Sequence, residues 1–120
     1  VISLLFAAPA VAQDAALGQR LFIQCRACHS MAPGEHKVGP SLHGVVGKPA
    51  ASTPGFAFSP ALKNARLAWD DATLDRFLAR PAAAAPGNKM AFAGVADPGR
   101  RAAIIAYLKT AGRSKQGETK

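Results

Sequence analysis

The chain contains two cysteines, and both stand in one short run, Cys25-Arg26-Ala27-Cys28-His29-Ser30, with a histidine directly after the second. Three chemistries suit two thiols at this spacing: a reversible disulfide, half of a zinc site, or the attachment point of a c-type haem. His29 separates them. A redox dithiol has no need of the imidazole, and the βαβ pattern that accompanies a thioredoxin-like site is absent from the sequence. Tetrahedral zinc needs four ligands, usually from two separated pairs. The histidines left over, His36 and His43, lie seven residues apart, outside the three-to-five spacing of a finger's histidine pair. Haem uses all three residues at once, one thiol per vinyl group and the imidazole under the ring facing the iron. On the motif alone, zinc and dithiol chemistry stay open.

Haem iron takes six ligands, and porphyrin with His29 supplies five. An open sixth position allows oxygen or peroxide to bind, whereas a filled one leaves mainly electron transfer. The candidates are Met31, Met90, His36 and His43. Met31 is only two residues past His29, so its loop can hardly reach the opposite ring face. Met90 lies far along the chain in Pro86-Gly87-Asn88-Lys89-Met90-Ala91-Phe92, where Pro86-Gly87 is a turn signal. The plain alternative for a lone methionine is a filler of core gaps.

The elements that must position these residues are short. At 120 residues the chain fits one domain. A core this small benefits from an additional staple, which a buried macrocycle supplies. A first helix is expected from about Asp14 to Gln24, with Asp14 as N-cap and Leu17, Leu21 and Phe22 on one stripe. Gly18 lies near that stripe. A helical glycine costs about 1 kcal/mol relative to alanine, so close approach of another helix is expected there. A second helix follows Trp69, capped by Asp70 or Asp71, carries Leu74, Phe77 and Leu78, and ends at Pro81. The third starts at Asp97-Pro98, carries Ile104, Ile105, Tyr107 and Leu108, and stops at Gly112. Residues 30–67 and 81–96 read as long loops rich in Gly and Pro, which make sense packed against a large apolar ligand. The fold class is therefore all-α, three main helices with loops wrapped around a cofactor.

Residues 1–12, Val-Ile-Ser-Leu-Leu-Phe-Ala-Ala-Pro-Ala-Val-Ala, carry no charge and end in an Ala-x-Ala site. They read as part of a secretory signal peptide, with a mature domain over 13–112 and a polar tail over 113–120. The run is too short to span a bilayer. Net charge is +8 from fifteen Lys and Arg against seven Asp and Glu. The basic residues are scattered without interleaved aromatics, so acidic proteins fit as partners better than nucleic acid does.

Taken together the motifs resemble a class I c-type cytochrome, a soluble monohaem cytochrome c. The resemblance runs over residues 14–112 and rests on Cys-Arg-Ala-Cys-His, Gly39-Pro40-Ser41-Leu42-His43-Gly44, Pro54 to Asn64 with Trp69, Pro86 to Phe92, and Ile104 to Leu108. It implies the cytochrome c fold around one covalent haem c. Cys25 and Cys28 would be the thioether attachments, and His29 and Met90 the axial iron ligands. The Pro40 carbonyl would accept the Nδ1–H of His29. Trp69 would donate to a haem propionate, with Lys48 and Asn88 nearby, and Phe92 would pack by the exposed haem edge. His36 would tie two loops, and His43 would lie at the surface. Three positions depart from the usual pattern: Ala84 and Phe58 stand where many relatives have tyrosine, and Leu62 where an asparagine is common.

The function so implied is that of a periplasmic, diffusible one-electron carrier rather than an enzyme. It would exchange electrons with acidic redox proteins as donor and acceptor. No nucleic acid or stable membrane insertion is expected, and a monomer is. The rival readings are a haem enzyme or gas sensor with an open sixth position, and a haem-binding module of a larger redox complex.

Overall fold

The computed structural model describes residues 10–111, with side chains from Asp14 onward. The expected leader's first nine residues, the stop at Gly112 and the polar tail lie outside the described residues. Six helices are present among them: α1 (Ala10–Leu21), α2 (Ile23–Arg26), α3 (Pro60–Ala65), α4 (Asp71–Ala79), α5 (Pro81–Ala84) and α6 (Pro98–Thr110). The three longest are the three expected. No strand forms among the described residues beyond a single antiparallel bridge, Pro49 with Ala68. No helix among them is long and apolar enough to cross a membrane.

The caps explain where the helices begin. Asp70 accepts from Thr73 N at 2.8 Å to start α4, and Asp97 accepts from Arg100 N at 2.8 Å, with Pro98 as the first helical residue of α6. Each satisfies an amide that the helix leaves orphaned. Arg80 is extended before Pro81, as a residue before proline must be. The start of α1 differs from expectation. It begins at Ala10, so Asp14 lies inside the helix and caps nothing, because the alanine-rich run before it has high helix propensity. Two short helices were not expected. In α3, Ser59 caps Leu62 N at 3.1 Å and Pro60 opens the turn. In α5, Pro81 again occupies the first position, so the proline that ends α4 also starts a new turn.

The crossing of α1 and α6 is the centre of the fold. A Cβ on Gly18 would lie 1.9 Å from the Ala103 carbonyl oxygen and 2.8 Å from Tyr107 Cβ, so only glycine allows this approach. Phe22 and Ile104 are each 1% exposed. The Phe22 and Tyr107 rings meet edge to face at 5.3 Å. Arg101 fastens α6 to α4 and to the chain between them. It pairs with Asp75 at 2.7 Å and donates to the carbonyls of Val95 and Ala96, each at 2.9 Å.

Candidate functional site

The cysteines and His29 are placed by one continuous helical turn. Cys25 N donates to Phe22 O at 2.8 Å, and His29 N donates to Cys25 O at 2.9 Å. The following loop then folds back over the turn. Gly39 N donates to Cys28 O at 2.7 Å, and Leu42 N to Ser30 O at 2.8 Å. Lys37 closes the same corner by donating from Nζ to Arg26 O at 2.6 Å. Both cysteines are half-buried and unpaired. Burial, and secondarily the neighbouring Cys28, raises the Cys25 thiol above its ordinary value.

His29 Nδ1 lies 2.7 Å from the Pro40 carbonyl. A carbonyl only accepts, so Nδ1 carries the proton and Nε2 keeps its lone pair. Burial lowers the His29 pKa, the Pro40 bond opposes that shift, and nearby Lys37 adds to it. The balance is a neutral imidazole, the form that ligates a metal. The ring rests in a cradle that one missing side chain creates. A Cβ at Gly39 would lie 2.4 Å from His29 Cε1. The imidazole also borders a cleft of about 280 Å³ shared with Phe22, Met31 and Tyr107.

The second methionine segment is built differently. Pro81 and Ala85 are buried, and Gly87 turns the chain at φ 85°. Met90 and Phe92 are half-buried and pack, with Cys25 and Leu42, against the common apolar core. Beyond them Gly94, at φ 123°, passes so close to the end of α4 that a Cβ would lie 2.1 Å from Ala79 O. Val95 N donates to Leu78 O at 2.8 Å. Asn88 is committed to this loop rather than free beside it: its side chain bonds Pro81 O, Ala85 O and Met90 N.

Trp69 is 8% exposed and meets Phe77 edge to face at 5.0 Å. Its backbone N–H donates to Lys48 O at 2.8 Å, which brings Trp69 and Lys48 side by side. Among the described residues no group accepts the indole N–H, yet no buried side-chain nitrogen or oxygen lacks a partner. The indole nitrogen therefore reaches accessible space.

The other histidines are occupied elsewhere. His36 Nδ1 accepts from Ser41 N at 3.0 Å, so Nε2 carries the proton and donates to Pro54 O at 3.0 Å. His43 is half-buried rather than at the surface, because its Nδ1 turns inward to Met31 O at 3.3 Å. Among the described residues no three His, Cys, Asp or Glu side chains converge on a point. The zinc alternative therefore finds no ligand set there.

A neutral histidine with a free Nε2, two unpaired thiols within one turn and an unaccepted indole N–H fit a covalently bound haem. Gly39 was not singled out as a site residue from sequence. Nothing local to Lys37-Val38-Gly39-Pro40 reveals that its missing side chain makes room for a ring on another segment.

No protein-family model matches the chain. Similar proteins are nonetheless clear. The chain is 47% identical over 100 residues to cytochrome c2 of Rhodomicrobium vannielii, covering 82% of this chain and 80% of that protein. It is 46% identical over 103 residues to cytochrome c2 of Blastochloris viridis, covering 85% and 81%. Among solved structures, cytochrome cH from Methylobacterium extorquens superposes with a TM-score of 0.77 at 49% identity, covering 81% of this chain and 98% of that one. Identity approaching one half over at least 80% of each relative makes this chain a member of the class I c-type cytochromes.

Proposed function

We propose that His29 and Met90 would be the two protein ligands filling the haem iron's remaining positions in this carrier, and that Cys25 and Cys28 would attach the macrocycle through thioethers. Family membership gives a periplasmic one-electron carrier with one covalent haem c, not an enzyme. The observation that supports His29 as a ligand is its bond to Pro40 at 2.7 Å; for Met90 it is a half-buried place against the same core as Cys25. The Pro40 bond fixes the ring, commits the Nδ1 proton and leaves Nε2 as the donor atom, with raised basicity. The bound haem supplies the Fe(III)/Fe(II) couple. Met90 contributes a soft, neutral sulfur that favours the reduced metal, and burial acts in the same direction. Trp69 and Lys48, adjacent through their backbones, would serve a haem propionate, and Phe92, packed against the core, would border the haem edge.

The test is Met90→Ala in the holoprotein. The haem stays attached, because the thioethers are independent of residue 90. The sixth position opens, cyanide binds fast, and the long-wavelength ferric iron–sulfur absorption band disappears. A variant that keeps that band refutes Met90 as the ligand.

The partners are redox proteins, and we assign them acidic docking faces. The charge of +8 supports this, as does the placement of exposed Lys37 directly against Arg26 beside the cysteine turn. Lys89, also exposed, adjoins Met90.

A further inference from the structure

The Met90 loop is held by a side chain whose hydrogen-bonding groups are all in use. Asn88 Nδ2 carries two hydrogens, and each reaches a carbonyl: Pro81 O at 2.9 Å and Ala85 O at 2.8 Å. Asn88 Oδ1 accepts from Met90 N at 2.7 Å. Its backbone N–H also donates to Ala85 O at 3.0 Å. Pro81 and Ala85 belong to the buried interior, so the amide ties both ends of α5, its first residue and its C-cap, to the backbone of residue 90. The next backbone tie to a separate element is Val95 N to Leu78 O. The loop from 86 to 94 is therefore fastened mainly at Asn88.

Few side chains can replace it. Aspartate keeps an acceptor for Met90 N but has no donor, and it sets a carboxylate against two carbonyl oxygens. Serine is able to accept from Met90 N as a local turn, but one hydroxyl cannot serve both carbonyls. Both amide hydrogens being taken, Asn88 also has no N–H left for a propionate.

We infer that Asn88 is the positioning residue for the sixth ligand, a clamp whose release sets how readily the Met90 sulfur leaves the iron. The inference rests on Met90 being that ligand. Segments with few ties open locally at low free energy, and an opening here would give an exogenous ligand access to the position Met90 fills.

The experiment measures cyanide binding to the ferric holoprotein by stopped flow, with hydrogen exchange at the Met90 amide followed by NMR. Asn88→Ser and Asn88→Asp are expected to speed both by roughly 5- to 100-fold, Asp more than Ser, since up to two bonds are lost and each is worth about a factor of two to ten. Asp70→Ala, which removes a cap on α4, is the control: it should lower the thermal midpoint and leave cyanide binding unchanged. Asn88 variants that bind cyanide at the wild-type rate overturn the clamp, as does acceleration by Asp70→Ala equal to theirs. If the variants do not fold, the wild type decides. Slow exchange of both Asn88 Nδ2 hydrogens supports the clamp, and free exchange overturns it. Met90→Ala separates the two ideas: loss of the sulfur band there with inert Asn88 variants sinks only the clamp, whereas a retained band sinks the ligand assignment beneath it.

Discussion

Gly18→Ala sets two effects of opposite sign against each other. Helix propensity favours alanine by about 1 kcal/mol. Sterics oppose it, because the new Cβ would lie 1.9 Å from Ala103 O, a distance that must open to at least 3.0 Å. Both partners are backbone or β-carbons on rigid helices, so α1 and α6 must part by about 1 Å. A gap of that size forfeits a quarter to a half of each contact's attraction. It falls on Phe22 and Ile104, each 1% exposed, and on the Phe22–Tyr107 pair. Overpacking at about 1–3 kcal/mol, with part of an aromatic pair at about 0.5–1.5 kcal/mol, outweighs the propensity gain. The net loss is about 2 kcal/mol, a fall in melting temperature of roughly 8–16 °C for a domain near 100 residues. Far-UV circular dichroism of the oxidised holoprotein measures it, and the thioethers keep haem on both states. A midpoint equal to or above wild type would show that propensity wins and that the crossing is looser than drawn.

Arg101→Leu should cost about 3 kcal/mol in a urea titration, since it removes three bonds of about 1 kcal/mol each and leaves the carbonyl of buried Val95 without its partner. Asp75→Asn should cost less than about 1 kcal/mol, because that side chain is 44% exposed and both carbonyl bonds persist; equal losses would refute the ranking. Electron transfer to an acidic redox partner should slow steeply with salt. Steering raises encounter by about 10–10³-fold and fades as the Debye length shrinks from roughly 30 Å at 0.01 M to 8 Å at physiological ionic strength. A rate flat across salt, or unchanged in Lys89→Glu, removes the steering idea and leaves the carrier intact.

What the sequence disclosed was whatever a few neighbouring residues decide. Asp97-Pro98 announced the start of α6, Arg80-Pro81 the end of α4, and Gly18 a close helix crossing. The two short helices escaped for a physical reason. Six residues in α3 and four in α5 are too few for a repeating apolar stripe, and their starts, Ser59-Pro60 and Pro81, read equally well as loop punctuation. The site divides in the same way. Cys25, Cys28 and His29 share one turn and were legible as a unit. The Gly39 cradle and the three bonds of Asn88 depend on where distant backbone arrives, and no local pattern encodes that.

The two proposed ligands are consequently held with unequal security. His29 sits in the same turn as both cysteines, bonded through Nδ1 to Pro40 and seated against Gly39, so it cannot leave without unfolding its own segment. Met90 lies on a loop whose nearest anchors are one asparagine and the distant Val95–Leu78 bond. Substitutions over residues 25–40 should therefore govern whether the haem site assembles at all. Those over residues 81–95 should tune how long the sixth ligand stays bound, and with it the stability of the ferric state, while the carrier still folds. In that division the part legible from a short motif builds the centre, and the part that only the fold reveals adjusts it.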